Sequence, residues 1–488
     1  MQKINKPVQV QPLSKVLTHL TIGFVIIAIF SLLPAPEPLT HYGMIVIGLF
    51  IAANLWFASL NMIWTSMLTL ILYAILTKTP SAKFITAIFG NATIWQVIIM
   101  MALCFVVKES GCAVVIAKKM LAHKLFSGRP MLFSYMMLLV AAVLGFLTSA
   151  AEGAVLTFTL LDGVADAVQL DKKSPYFSVM LILSFISTQL GLSTFPYRSY
   201  LPSMVSSYEK IAGTPLNAPL YLVVTIIFVL VMDLLCLLAV KYILHIDMRA
   251  VANVDPTALY KEESEKHITK QGKAALIMLA VLIAGTMYPS FIKVGALSKL
   301  LSTTLGNNLY FALIFVLACI IRVEGKPIID SPERVVRTGN SWSLLFSMAL
   351  MMYFAGILSG KDAGLRPFLQ QVVGSWFSEM SSVFFLVCIV IITTIVTGFF
   401  SNMATGIIMM TITVPLASQF GMKEGVLGMI ILWSSMFGFL TPGASGATPL
   451  LFGNENLDSK TIYKYIPTFM IIFMLLCVIL GLALNMVL

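Results

Sequence analysis

Long apolar runs separated by short polar segments make up most of the chain. They predict membrane-spanning helices at residues 17–34, 41–59, 61–77, 92–111, 174–208, 219–246, 273–291, 303–321, 341–360, 424–452 and 463–487. Each run is long enough to cross a hydrocarbon core about 30 Å thick. The pattern therefore predicts an all-α polytopic membrane protein with about eleven transmembrane helices.

Two further segments, 131–169 and 381–420, each hold a polar interruption between two apolar arms. The interruptions are variants of one another, GFLTSAAEG from Gly145 to Gly153 and GFFSNMATG from Gly398 to Gly406. An unpaired backbone group in hydrocarbon costs several kcal/mol, so a helix stops at that depth only where protein or a water-filled cavity satisfies it. We interpret both segments as re-entrant hairpins. Matching breaks in two halves of a chain indicate the substrate site of a transporter.

The order of elements predicts an inverted repeat. In each half a helix, an amphipathic stretch (113–126 or 363–373), a hairpin and a broken helix follow one another. We divide the chain into an N-terminal helix (1–40), a first repeat (41–246), a cytoplasmic linker (247–272) and a second repeat (273–488). With the N-terminus in the cytoplasm and both hairpins returning to their starting side, most Lys and Arg residues fall in cytoplasmic loops. Trp95 then begins its helix outside and Trp342 begins its helix inside.

Composition and missing motifs narrow the possible functions. With 59% hydrophobic and 11% charged residues, a soluble fold is excluded. The net charge of +10 lies in loops, so it implies no nucleic-acid partner. No G-x-x-x-x-G-K-[ST] loop, nucleophile–base pair or paired metal spacing occurs. We therefore expect neither an enzyme nor a metal or cofactor site, and we expect a gradient of ions or solutes to drive any transport.

Helix-breaking residues concentrate at two places that follow the hairpins. Residues 438–453 hold two prolines and several glycines, and residues 189–202 also hold two prolines. Proline removes a backbone donor and glycine loosens backbone geometry, which frees carbonyl and amide groups to contact an ion or a substrate. Both segments are therefore predicted to be broken helices at the site.

The chain resembles the divalent anion:sodium symporter family of the ion transporter superfamily. Members carry a Ser-Asn-Thr signature at each hairpin tip and a Thr/Pro-rich break in the following helix. Ser401-Asn402-Met403-Ala404-Thr405 is similar to the second signature with Met403 in place of its Thr, and residues 440–453 are similar to the second break. The layout matches over nearly the whole chain, whereas the motifs are specific only in the second half.

The resemblance implies a secondary active carrier of small organic anions, di- or tricarboxylates. It implies an elevator motion and a homodimer in a cell membrane. The residues expected to hold the substrate are Ser149, Ser193, Thr194, Arg198, Ser401, Asn402, Thr405, Ser445 and Thr448. Glu152, Asn402 and Ala444 are expected to take part in ion coupling, with Na⁺ or H⁺ as the alternatives.

The first signature departs from the family pattern. Ser149-Ala150-Ala151 keeps only the serine, so the amide and hydroxyl that would hold a carboxylate and frame a sodium site are missing. Family members that exchange one carboxylate for another need no sodium. We therefore expect weak sodium dependence.

Three charged residues within the predicted membrane segments leave their roles open. Arg198 within a span is predicted either to hold a substrate carboxylate or to pair with Glu152. Glu152 is then either a proton-coupling carboxylate or the partner of Arg198. If Glu152 and Asp233 were ion-binding carboxylates, the chain would instead be a cation/proton antiporter of the same superfamily.

Overall fold

The computed structural model of this chain describes residues 12–122, 128–252, 267–365, 367–368, 371–372, 381–442 and 444–488. This part is nearly all helical. Its one sheet is a short antiparallel pair, β1 (Arg322–Val323) and β2 (Lys326–Pro327). The prediction of a helical polytopic protein is confirmed.

Helices up to residue 252 largely follow the predicted segments. They are α1 (Leu13–Leu32), α2 (His41–Ser59), α3 (Met62–Thr77), α4 (Ser81–Phe89), α5 (Ala92–Glu109), α6 (Cys112–Leu121), α7 (Pro130–Leu147), α8 (Ala150–Ala167), α9 (Pro175–Ser193), α10 (Leu201–Ala212) and α11 (Ala218–Tyr242). The short helix α4 lies between two predicted spans, where the sequence pattern gave no helix.

Helices after residue 266 follow the second series of apolar runs. They are α12 (Lys270–Phe291), α13 (Ala296–Lys299), α14 (Gly306–Ile320), α15 (Pro332–Gly339), α16 (Trp342–Ser359), α17 (Ser382–Thr397), α18 (Asn402–Thr413), α19 (Glu424–Ser434), α20 (Thr448–Phe452) and α21 (Ser459–Val487). A π-helical stretch, Leu300–Leu305, joins α13 to α14, and a 3₁₀ stretch, Val414–Phe420, continues α18.

Polar caps set where two of the helices around the site begin. The side chain of Asn91 accepts a hydrogen bond from the backbone N–H of Thr93 at 2.9 Å and starts α5. The hydroxyl of Ser174 accepts from the N–H of Phe177 at 3.3 Å, and Pro175 occupies the first position of α9. Such caps satisfy backbone donors that a helix leaves unpaired, and proline fits a position whose N–H is not needed.

Nine of the described helical segments are long and apolar enough to cross a membrane. A tenth is added if α15 and α16, bent by 65° relative to each other, form one span. Two of the nine are α7 and α18 with its continuation, which belong to the expected hairpins, whereas α3, α17 and α19 are shorter apolar helices. The multi-pass architecture is confirmed, and the number of eleven crossings stays a prediction.

Each segment expected as a hairpin forms two helices that pack against each other. Thr148 and Ser149 join α7 to α8, and residues 398–401 join α17 to α18. A broken helix follows each pair: α9 is separated from α10 by residues 194–200, and α19 from α20 by residues 435–447. The long helices α11 and α21 come next, so the same order of elements occurs twice. We call the two joining segments tip 1 and tip 2, and the two gaps break 1 and break 2.

Two other predicted segments fall partly outside the described residues. Of the expected linker 247–272, residues 253–266 are not described, and α12 begins at Lys270. Of the first amphipathic stretch, 113–126, residues 113–121 lie in α6 and residues 123–126 are not described; several residues of the second, 363–373, are not described either.

Glycine allows the first hairpin to lie directly against α9. A Cβ placed on Gly191 would come within 1.9 Å of the carbonyl oxygen of Ala142, and one on Gly145 within 2.0 Å of the carbonyl oxygen of Thr188. Small residues allow such backbone approach between membrane helices, where close packing replaces the hydrophobic effect as a source of stability. The position of tip 1 beside break 1 therefore depends on these two glycines.

Gly191→Ala is expected to destabilise the protein, because the new methyl would overlap backbone that cannot rotate away. Overpacking of this kind costs about 1–3 kcal/mol or more. Thermal unfolding in detergent should show a fall of several degrees in Tm. Gly163→Ala is the matched control, because a Cβ on this exposed helical glycine meets nothing within 4 Å. Equal melting temperatures for the two variants would contradict the close approach.

Candidate functional site

Both tips and both breaks open onto one cavity of about 550 Å³. The helices α5, α15 and α16 complete its wall. The lining residues that are discussed below are Lys108, Thr148, Ser149, Ala150, Ala151, Glu152, Gln189, Arg198, Tyr200, Asn340, Ser401, Asn402 and Ser445. Interruptions that lie far apart in the sequence are thus neighbours in space.

Tip 1 presents the N-terminus of α8 to the cavity. Ser149 caps this helix, since its hydroxyl accepts a hydrogen bond from the N–H of Glu152 at 3.3 Å. The first two helical residues, Ala150 and Ala151, line the cavity. A helix N-terminus carries a partial positive charge, so this surface favours an anion.

Tip 2 is anchored by the side chain of Asn402. Its amide nitrogen donates to the hydroxyl of Tyr200 at 3.1 Å, and its oxygen accepts from the hydroxyl of Thr397 at 3.0 Å. Asn402 is only 3% exposed, and it lies at the N-terminus of α18. Because Tyr200 belongs to break 1, this hydrogen bond joins the two halves of the chain at the cavity.

Break 1 places Arg198 in the wall with unused hydrogen-bonding capacity. The side chain is 2% exposed, its Nη2 donates to the carbonyl oxygen of Thr148, and the Phe146 ring lies 5.7 Å from the guanidinium carbon. Its Nε and Nη1 are buried without a hydrogen-bond partner in the described part of the chain. A buried cation with unsatisfied donors is costly unless something pairs with it. This arrangement suits the carboxylate of a bound anion.

Glu152 pairs with Lys108 rather than with Arg198. Lys108 Nζ contacts Glu152 Oε1, and both side chains are partly exposed to the cavity. Of the two alternatives left open by the sequence, the pairing of Arg198 with Glu152 is therefore not found. The reason is positional, because Lys108 in the last turn of α5 faces the first turn of α8.

Hydroxyl groups in and next to break 2 stabilise its conformation. The hydroxyls of Ser445 and Thr448 lie 2.6 Å apart, and that of Thr441 donates to the carbonyl oxygen of Gly398 in tip 2 at 3.1 Å. These bonds satisfy backbone and side-chain groups where the helix is interrupted. Break 2 and tip 2 therefore have a direct connection.

The expected site residues divide into two sets. Those that line the cavity are Ser149, Glu152, Arg198, Ser401, Asn402 and Ser445. Those that are buried behind its wall are Ser193, Thr194, Thr405, Ala444 and Thr448. In the second set, the hydroxyl of Ser193 donates to the carbonyl oxygen of Leu190 at 2.7 Å, whereas that of Thr405 has no partner among the described residues.

Asp233 lies away from the cavity wall. Its Oδ2 accepts a hydrogen bond from the hydroxyl of Ser187 at 2.8 Å, and the side chain is buried between α9 and α11. The antiporter alternative requires Asp233 to be an ion-binding carboxylate. The observed contact is a structural one.

Sequence reasoning did not single out four polar residues of the wall: Lys108, Gln189, Tyr200 and Asn340. Lys108 lies near the end of a predicted span, and a lysine in such a position usually reaches towards the membrane surface. Asn340 immediately precedes a predicted span, and no local pattern marks it as a site residue. Gln189 and Tyr200 lie within the predicted break at residues 189–202, and this break is the signal that could have identified them.

Comparisons with known proteins agree on a membrane transporter. A family model described as "Sodium:sulfate symporter transmembrane region" matches residues 14–488. The fold is similar to the Alcanivorax borkumensis YdaH transporter, at 13% sequence identity and a TM-score of 0.52, over 92% of this chain and 99% of that one. It is also similar to Neisseria gonorrhoeae MtrF, described with a class of antimetabolite efflux pumps, at 13% identity and a TM-score of 0.54, over 94% of each chain. At this identity the likeness concerns the fold alone. No curated protein sequence matches significantly.

Replacing Arg198 should weaken anion binding by about tenfold or more, because an ammonium or an amide cannot reproduce the charged planar fork. Succinate binding to Arg198→Lys and Arg198→Gln, measured by calorimetry in detergent, checks this. Since Glu152 pairs with Lys108 and not with Arg198, Arg198→Gln should lose as much affinity in a Glu152→Gln background as in the wild type. Wild-type affinity in Arg198→Gln would remove this residue from the anion site.

Asn402→Ala should abolish transport while the protein still folds, because its amide is the one side-chain amide at the two tips. Tyr200→Phe removes only the hydroxyl that Asn402 contacts and should retain most activity. Uptake rates, normalised to protein that elutes as a single peak in gel filtration, distinguish the two. Equal losses of uptake in both variants would mean that Asn402 acts only by joining the two halves of the chain through Tyr200.

Proposed function

The chain belongs to the family of the sodium:sulfate symporter transmembrane region, the divalent anion:sodium symporters, and we propose that it carries small organic anions, di- or tricarboxylates, across a cell membrane. The carrier works by alternating access, as a carboxylate exchanger or as a cation-coupled symporter. The substrate lies between the two tips and the two breaks, where Ser149, Ser401 and Asn402 are available as donors.

The buried guanidinium of Arg198 is the observation that carries this proposal. It lines the cavity with two nitrogens unpaired in the described structure, and no described acidic side chain neutralises it. Two helix N-termini, those of α8 and α18, face the same space and add partial positive charge. A cavity with this electrostatic character selects anions, and a carboxylate matches the hydrogen-bonding geometry of guanidinium.

The contact of Arg198 with tip 1 bears on the coupling ion. Tip 1 lacks the amide and hydroxyl of the family signature, and the guanidinium donates to the carbonyl oxygen of Thr148 at that tip. A fixed cation at a tip carbonyl reduces the need for a bound sodium ion there. This favours exchange, or coupling that depends only weakly on sodium.

In the predicted topology, the cavity lies towards the cytoplasmic side of the membrane. Its wall includes Lys108 at the end of α5 and Asn340 before the start of α16. With the N-terminus in the cytoplasm, both positions lie on the cytoplasmic side, and we infer that the cavity is reached from the cytoplasm. Movement of the tips and breaks as one body past a dimeric scaffold would then open the site to the other face.

A cation/proton antiporter is the less favoured alternative. It needs Glu152 and Asp233 to act on a common ion, whereas Glu152 pairs with Lys108 in the cavity wall and Asp233 accepts from Ser187 behind it. Arg198 would also repel a cation.

Uptake of labelled succinate, citrate, 2-oxoglutarate and sulfate into proteoliposomes tests the proposal. We expect uptake of at least one carboxylate, faster with internal carboxylate and weakly affected by a sodium gradient. Empty liposomes and the Asn402→Ala variant are the controls. A steep requirement for more than one sodium ion per cycle would overturn the coupling, uptake of sulfate alone would reassign the substrate, and transport of protons without any anion would favour the antiporter.

A further inference from the structure

Lys108 and Glu152 form an ion pair in the cavity wall to which the function above gives no role. Lys108 lies in the last turn of α5 and Glu152 in the first turn of α8. Both residues line the cavity, and their side chains are 39% and 37% exposed. The pair is therefore in contact with the space that a substrate would enter.

An ion pair of this exposure is easily exchanged. Pairs that remain in contact with water contribute little to stability, because each partner is nearly as well solvated when they separate. Lys108 has three ammonium donors and can accept another carboxylate in place of Glu152. A carboxylate of a bound molecule can therefore take the place of Glu152 on Lys108.

The two cations of the cavity, Arg198 and Lys108, contact positions that lie close together in tip 1 and the first turn of α8. Arg198 donates to the carbonyl oxygen of Thr148, and Lys108 contacts Glu152 four residues later. Between them the hydroxyl of Ser149 accepts from the N–H of Glu152, which fixes this turn of chain. The two cations therefore flank the N-terminal turn of α8 and can face two ends of one small molecule.

The charged groups of the wall offer two contacts for carboxylates. In the described residues the lining holds two cations, Arg198 and Lys108, and one carboxylate, Glu152. Its remaining titratable lining groups are Cys104 and Tyr200. A monoanion needs only Arg198, whereas a dianion gains from Lys108 as well once Glu152 is displaced.

We propose that Lys108 is a specificity-determining residue that takes the second carboxylate of a dicarboxylate whose first carboxylate lies on Arg198. Glu152 occupies Lys108 when the cavity is empty and competes with the substrate. This inference rests on the proposed function and adds to it a reason for preferring dianions over monoanions.

Succinate and its monoamide, succinamate, are the probes, because they have the same length and differ in one charge. Binding to the full-length protein in detergent is measured by calorimetry for the wild type, Lys108→Gln, Lys108→Arg and Glu152→Gln. The neighbouring pair Glu109–Arg334 provides matched controls, Glu109→Gln and Arg334→Gln. Its side chains are 43% and 40% exposed, and neither of them lines the cavity.

The two partners of one ion pair should respond in opposite directions. We expect the wild type to prefer succinate by about tenfold or more, equivalent to ~1.4 kcal/mol. Lys108→Gln should reduce this preference to nearly none, and Lys108→Arg should keep it. Glu152→Gln should raise succinate affinity several-fold, because the internal competitor is gone. Both control variants should leave the preference unchanged.

If the ion pair only stabilised the fold, the variants would show a different pattern of affinities. Lys108→Gln and Glu152→Gln would then weaken both ligands alike, and the double variant would recover binding, which would overturn the inference. An unchanged succinate preference in folded Lys108→Gln would also overturn it while leaving the proposed function intact. If the wild type binds neither ligand and takes up no carboxylate, the proposed function fails and this inference fails with it.

Discussion

The site depends on the need to satisfy backbone groups wherever a helix stops inside hydrocarbon. Each unpaired N–H or C=O at that depth costs several kcal/mol. Side chains from neighbouring elements supply the partners: Thr441 of break 2 donates to the carbonyl oxygen of Gly398, and Arg198 of break 1 donates to that of Thr148. In each half, therefore, a side chain of the break donates to a backbone carbonyl of the tip that precedes it in the chain. The groups that stabilise the interruptions also form the wall of the cavity.

A hydrogen bond at the cavity joins the two halves of the chain. Asn402 at tip 2 donates to the hydroxyl of Tyr200 in break 1, across 202 positions of sequence. In a buried setting such a bond is worth more than at a surface, and its loss leaves polar groups without partners. The geometry of tip 2 is thus linked to that of break 1, and a change in either half reaches the other through this contact.

Much of the fold followed from the sequence because apolar runs, caps and helix breakers act locally. Asn91 begins α5 and the proline-containing breaks interrupt their helices where the pattern placed them. Side-chain pairing did not follow, because it depends on how each helix is rotated against its neighbours. Lys108 meets Glu152 across 44 positions, and Thr405 lies behind the wall although it is only three residues from Asn402. No local pattern encodes these rotations.

The glycine contacts between α7 and α9 determine which parts of the site can separate. Gly145 and Gly191 bring the two backbones so close that neither helix can slide along the other without collision. The part of the cavity wall formed by tip 1 and break 1 is therefore expected to move as one rigid unit. We expect a substrate held there to leave when this unit is displaced against α5, α15 and α16, which form another part of the wall, and not through bending of the hairpin.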